Sequence, residues 1–453
     1  MFAAALVVAG AVVLAPKPSQ AQSLADALIA AYNNNPTLAA RRARLRAKDE
    51  QVPQALSNWR PTIEITGDVG KEYTKSTTRT ERGQNRSPGS VGLSVTQPLY
   101  RGGRTVAATS EAENAVRAER ARLIDTEQDI LLAAATAFLN VFRDEAVLSL
   151  NVNNEKVLKR QLEATKDRFE VGEITRTDVH QAEARLARAT ADRIRAEGNL
   201  ENSRANYENV VGLPAPVNLA LPNLPDDLPK SRGDAIKLAA TGNPNVIAAE
   251  FDRQAAQDNV REVTGELLPE VNVTGSVERA YQSSADYGRD DSAEIVLNLT
   301  IPIYQQGSVY SRVREAKQTL AEYIRTIDQA RRDAVEDATS AWEALLSARA
   351  RTVSFQAQIE ASVVALDGVE REAAVGSRTV LDVLDAEQEL LDSRVAHTEA
   401  QRDERVAAFE LAAATGNLTA EKMKLAVDLY DPRSHYNEVR GQLIGTSSSG
   451  EGR

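Results

Sequence analysis

Among its 453 residues the chain has no cysteine. That excludes disulfides, thiolate metal sites and thiol nucleophiles, and it leaves no thiol for lipid attachment. Aromatics make up only 4% of the chain, and mean hydropathy is negative. Ala, Glu, Gln, Arg and Asp instead dominate long stretches, the makeup of long, thinly packed helices rather than a thick globular core. Only three histidines occur, His180, His397 and His435, and they share no metal-ligand spacing, so no metal is expected. A glycine-rich phosphate loop with lysine, a His-Glu-x-x-His helix and a nucleophile elbow are all missing, so neither a cofactor nor an active site is expected. The net charge of −11 disfavours nucleic acid, whose binding needs a basic face. After residue 15 no run approaches the ~18 apolar residues of a spanning helix.

The first 21 residues read as an export signal. Phe2 to Ala15 is almost wholly apolar, Pro16-Lys17-Pro18 breaks the run, and Ser19-Gln20-Ala21 suits cleavage after Ala21. A positive n-region is missing before the apolar run.

What the chain does have is itself, twice. Asn35-Pro36 is answered by Asn243-Pro244, and Trp59-Arg60-Pro61 by Leu267-Leu268-Pro269, each 208 positions on. Beyond one loop the offset becomes 204: Gln97-Pro98-Leu99-Tyr100 becomes Ile301-Pro302-Ile303-Tyr304, and Val171-Gly172 becomes Val375-Gly376. A repeat of this length far exceeds a solenoid unit of about 20–50 residues. It is a duplicated substructure. The division it suggests is a leader at 1–21, a first repeat at 22–212, a Pro-rich joint at 213–230, a second repeat at 231–416, and at 417–453 an equatorial segment whose end is a loose tail.

Each copy follows one script. A helical stretch, 36–57 or 244–266, leads to Pro61 or Pro269. Short segments with apolar residues at every second position follow: Ile63, Ile65, Val69 and Val91, Leu93, Val95, Leu99; then Val271, Val273, Val277 and Ile295, Leu297, Leu299, Ile301, Ile303. Such alternation marks strands with one apolar face, one long-looped hairpin per copy. After Gly102-Gly103 and after Gly307 the period changes, and about 65 residues of helix follow. In the second copy the positions Val313, Leu320, Ile327, Ala334, Ala341, Ala348, Phe355, Ser362 and Val369 form a heptad seam. The first copy is weaker: Val141, Leu148, Glu155, Leu162, Phe169. Glycine then turns the chain back through a shorter helix, 178–211 or 382–415. Two short helices stacked end to end would match one long one of about 100 Å.

An isolated hairpin is barely stable in water. The strands either pack on helices in a soluble sheet or present their apolar face to lipid. The neighbouring helices have no broad apolar face to spare, which favours lipid. A sheet in lipid must close, and about eight strands is the usual minimum, so four per chain require several chains. Trp59, Tyr73, Tyr100, Tyr281 and Tyr304 fall at strand ends, where aromatic girdles belong.

The duplicated plan, with Gln97-Pro98-Leu99-Tyr100 closing a strand, resembles the TolC-like outer-membrane channel family. So do Phe169-Glu170-Val171-Gly172-Glu173-Ile174-Thr175 and the stretch from Val375-Gly376-Ser377-Arg378 to Asp385-Ala386. The resemblance covers roughly 24–420. It implies an α+β fold: a duplicated all-α coiled-coil tunnel with a four-stranded contribution to a shared transmembrane β-barrel. It also implies a homotrimer in the outer membrane, reaching into the periplasm as an exit duct for drugs or secreted proteins. Its partners would be a periplasmic adaptor (membrane fusion) protein, an inner-membrane transporter and outer-membrane lipid. The alternative is a soluble periplasmic coiled-coil scaffold or adaptor.

The Gly172 and Gly376 turns would then form the periplasmic end. Asp382 and Asp385 share one helix face, and three copies would ring the mouth with carboxylates, which favour cations. Both Asp178 and Asp382 also suit a simple role as first-turn caps. By motif position Arg378 would meet Thr177 and Asp178 to hold the mouth closed. Ala373-Ala374 stands where the family often has an aromatic residue, so one latch is missing.

Overall fold

The computed structural model describes residues 23–74, 84–216, 219–225, 227–283 and 288–447. The apolar leader and the end of the tail, 448–453, lie outside the described residues. In chain order the elements are α1 (Leu24–Asn34), α2 (Pro36–Asp49), α3 (Gln51–Ser57), β1 (Thr62–Val69), β2 (Glu72–Thr74), β3 (Gln84–Arg86) and β4 (Gly89–Arg101). The first long pair follows, α4 (Arg104–Glu170) and α5 (Arg176–Val211). The second copy repeats the order as α6 (Arg232–Gly242), α7 (Pro244–Gly265), β5 (Glu270–Tyr281), β6 (Arg289–Thr300), α8 (Ser308–Ala374) and α9 (Val380–Ala414), and α10 (Ser434–Val439) is the last element among the described residues.

The duplication is exact in its longest parts: α4 and α8 both have 67 residues, about 100 Å each. In the second copy the expected seam packs on α9 in the half nearer the turn and on α6 and α7 in the other half, with Ile327, Ala334, Ala341, Ala348 and Ser362 buried and the other four positions half-buried. In the first copy Val141 and Leu162 are buried, but Phe169 is left 41% exposed at the turn. Small residues along the seam let the helix backbones approach closely, which is why so lean a composition still buries a continuous line.

The short helices do stack end to end, and one residue type makes both joints. The Asn35 side-chain oxygen accepts from Thr37 N at 2.9 Å, capping α2, while its Nδ2 donates to Val210 O at the end of α5, 3.0 Å away. Asn243 repeats this in the second copy: it caps α7 through Asn245 N at 2.9 Å and donates to Ala414 O of α9 at 3.4 Å. One amide thus satisfies orphan groups at the start of one helix and the end of another. Pro36 and Pro244 at the first helical position cost no hydrogen bond.

One expectation is corrected, and two features extend the sequence reading. The helix expected over 36–57 is broken at Glu50, because Pro53 has no N–H and its ring collides with the carbonyl four residues back; the second copy, with Arg261 there, runs unbroken. Short helices α1 and α6, 208 positions apart, precede each Asn-Pro step. Beyond Lys422 the segment packs as far as Val439, with Leu425, Val427, Tyr430 and Tyr436 against the largest apolar cluster, while 440–447 are exposed.

The four long strands form one antiparallel sheet in the order β1-β4-β5-β6, so the two hairpins are joined through β4 and β5. The expected linker after β1 begins with the small β2–β3 ribbon. At Pro98 the register slips by one residue, a bulge at the residue that cannot donate to the ladder.

Candidate functional site: the lipid-facing sheet and the helix-turn mouth

Cross-strand register sorts the sheet into two chemistries. One row runs Ile63, Val95, Gly275, Ile295, and the next runs Ile65, Leu93, Val277, Ala293. On the other face the row between them is Glu64, Ser94, Ser276, Glu294. The apolar face is bare: Ile63, Ile65, Val69, Ile295, Leu297 and Leu299 are between 59% and 87% exposed. Each aliphatic side chain left in water forgoes about 1.5–3 kcal/mol. Over such a face the sum rivals the ~5–15 kcal/mol net stability of a whole domain. Among the described residues no helix covers it. Strands of 12 residues are about 40 Å long and, tilted by about 45°, span roughly the 30 Å hydrocarbon layer.

Both edges of the sheet are open: among the described residues β1 pairs only with β4, and β6 only with β5. Unpaired edge groups cannot remain in hydrocarbon. The polar face suits a wet lumen.

At the other end of the long helices, both turns have the same build. Gly172 has φ 80° and Gly376 φ 81°, the left-handed conformation that glycine adopts most easily. Glu173 N donates to Arg168 O and Gly172 N to Phe169 O; Ser377 N and Gly376 N repeat the pair on Glu372 O and Ala373 O. These are Schellman closures. The returning helices start with reciprocal caps: Asp178 with Thr175, and Asp382 with Thr379. Asp382 Oδ2 accepts from Thr379 N and Oγ1, both at 2.8 Å. Those bonds, the backbone one first, hold its carboxyl below the usual range. The Thr175 hydroxyl and N–H do the same for Asp178.

Asp385 lies one turn on and is exposed, with Arg185 of α5 donating to it across the two copies. That partner is not evident in the sequence, because it depends on how α5 and α9 lie together. Leu158, Leu162, Val179, Ala182, Val380 and Leu384 form the apolar cluster that sets this placement. Within the chain Arg378 donates to Glu372 at 2.8 Å, on its own turn, rather than to Thr177 or Asp178. Ala373 is buried. His180 is exposed beside Glu183 at 3.1 Å. His435, by contrast, is buried with Nδ1 at 3.3 Å from Asp49.

The profile of outer membrane efflux proteins matches residues 28–213 and 235–417, one match to each copy. The chain belongs to the outer membrane efflux protein family. It is 34% identical over 446 residues to outer membrane efflux protein BepC of Brucella suis, covering 98% of this chain and 96% of that one. To TolC of Escherichia coli it is 26% identical over 420 residues, 89% of this chain and 84% of the relative. Among solved structures, a Pseudomonas aeruginosa membrane protein superposes with a TM-score of 0.80 at 19% identity, covering 89% of this chain and 92% of that one. The Campylobacter jejuni outer membrane channel CmeC gives 0.77 at 17%, covering 92% and 89%; these likenesses concern the fold. This efflux-family protein is therefore an outer-membrane channel that extends into the periplasm. Proteins of the TolC type are trimeric channels that work with adaptor and inner-membrane transporter partners. A soluble scaffold is not favoured.

Proposed function

We propose that three copies close a twelve-stranded barrel, β6 of each pairing with β1 of the next, and continue as one α-helical tunnel. The observation that carries this is the bare apolar sheet with two open edges, which one chain cannot satisfy in either water or lipid. A further open line supports lateral association: Leu346, Val353 and Val364 of α8 are 42%, 72% and 72% exposed at coiled-coil spacing. Energy comes from an inner-membrane transporter reached through a periplasmic adaptor. The division into a signal at 1–21, two repeats and an equatorial joint at 213–230 belongs to this reading.

The narrow point is placed at the Gly172 and Gly376 turns, with Asp382 and Asp385 of three chains as its carboxylate ring. Arg378 reaches Thr177 and Asp178 of a neighbouring chain by leaving Glu372, an exchange that the exposure of Arg378 and Glu372 permits. Arg185 tempers the ring at Asp385, and Arg378 acts on Asp382.

Named relatives divide between efflux and secretion: BepC is an efflux protein, and PrtF of Dickeya chrysanthemi, 23% identical, a protease secretion protein. The higher identity to BepC favours small-molecule efflux. In a strain lacking this gene, loss of growth on bile salts or antibiotics supports efflux. Unchanged tolerance with lost export of a large protein overturns it in favour of secretion.

A further inference from the structure

The C-terminal segment climbs one face of α4 toward the sheet. Ala420 N donates to Glu127 Oε1 at 2.7 Å. Next, the Tyr436 ring lies 5.1 Å from the Arg120 guanidinium. Tyr436 Oη and Arg440 Nη2 then both donate to Glu113 Oε1 at 3.2 Å. Glu127, Arg120 and Glu113 are seven apart, so they share a face and mark steps of about 10 Å along the axis. The climb ends where Arg60 Nη1 donates to Gln442 O at 2.8 Å. Arg60 stands two residues before β1.

Up to this point every large apolar residue of the segment but Leu429 packs inward. The next two do not: Leu443 is 73% exposed and Ile444 89%. They stand at the helix end of the sheet, where Trp59, Ile303 and Tyr304 are also exposed at 44%, 88% and 74%. Aromatic and aliphatic residues at that level meet the boundary between headgroups and acyl chains. Arg60 and Arg440 flank the pair, held by Gln442 O and Glu113.

We propose that Leu443 and Ile444 form a lipid foot that enters the periplasmic leaflet beside the barrel rim. The occupant is phospholipid, because the pair continues the apolar face already assigned to the membrane. The foot ties the equatorial layer to the bilayer, so the tunnel is held at a set height by the tail as well as by the barrel. It rests on the outer-membrane reading.

The absence of cysteine makes the test clean. Single variants Leu443→Cys, Ile65→Cys on the sheet and Asp428→Cys lower on the segment each carry one environment-sensitive fluorophore. The intact protein is reconstituted in phosphatidylcholine vesicles with ordinary or brominated acyl chains. Loss of emission in brominated lipid is expected at Leu443 and Ile65, with iodide quenching only Asp428. Ile444→Cys serves as the second probe should the first label perturb its neighbour. Quenching of Ile65 but not of either foot residue by brominated lipid overturns the foot alone. Failure at Ile65 as well overturns the membrane sheet with it.

Discussion

At the residue scale, the mouth is made by side chains with two duties. Asp382 is a helix cap and, in the proposed reading, also a ring carboxylate, so replacing it tests both. The double change Asp382→Ala with Asp385→Ala is expected to lose cation preference and divalent block in single-channel recordings while the assembly survives. Unchanged selectivity would place the ring away from the constriction. The cap itself contributes about 1 kcal/mol locally. Glu111 presents the opposite electrostatics. Burial, with Glu262 as an acidic neighbour, pushes it up to about 7. A raised acid stabilises the fold fully below its unfolded pKa near 4.5, and that contribution is lost as pH rises through 7. Glu111→Gln is therefore expected to gain stability over the parent between pH 4.5 and 7 and then level off. A gain on the order of 1–2 kcal/mol in urea midpoints allows for its partial exposure. A gap that does not change with pH would contradict this.

At the element scale, the joints between repeats carry the geometry. Loss of the amide bridge in Asn35→Ala or Asn243→Ala removes a cap and a helix-end bond together. About 1–2 kcal/mol each is expected, read as a lower midpoint for melting of the helical signal; a neutral result would mean the stacked helices hold without it. The turn into α8 offers the reverse. The first copy has Gly102-Gly103 there, but the second has Gln306 at φ 56° before Gly307. A left-handed non-glycine costs about 1–2 kcal/mol, so Gln306→Gly is expected to raise stability by up to about 1 kcal/mol in the same assay.

These elements also show what could be read in advance. Strand and seam periods were plain in the sequence, because an apolar face at period two or seven survives even in a lean composition. The break at Pro53 had its signal in the proline itself. Helices α1 and α6 were hidden because they are short, and their burial depends on α4, α5 and α8. Of the mouth, the glycines and caps were legible because they are local. The Arg185–Asp385 pair was not: it joins two copies through a packing angle that no spacing encodes. Buried Glu119, held by Arg41 at 3.5 Å and Arg44 at 3.2 Å, was hidden for the same reason.

At the scale of the whole molecule, the chain reads as one part of a larger closed body. An apolar sheet with open edges, helices of about 100 Å and an exposed second line on α8 each call for a partner, which in the proposed reading is a further copy. The central claim is that these copies enclose a continuous pore, narrowed by carboxylates at its far end. Single-channel conductance of the purified protein in a planar bilayer, with ion selectivity, tests it most directly. Small, long-lived, cation-selective steps are expected. No insertion, together with an elongated particle that stays in water, would contradict the claim.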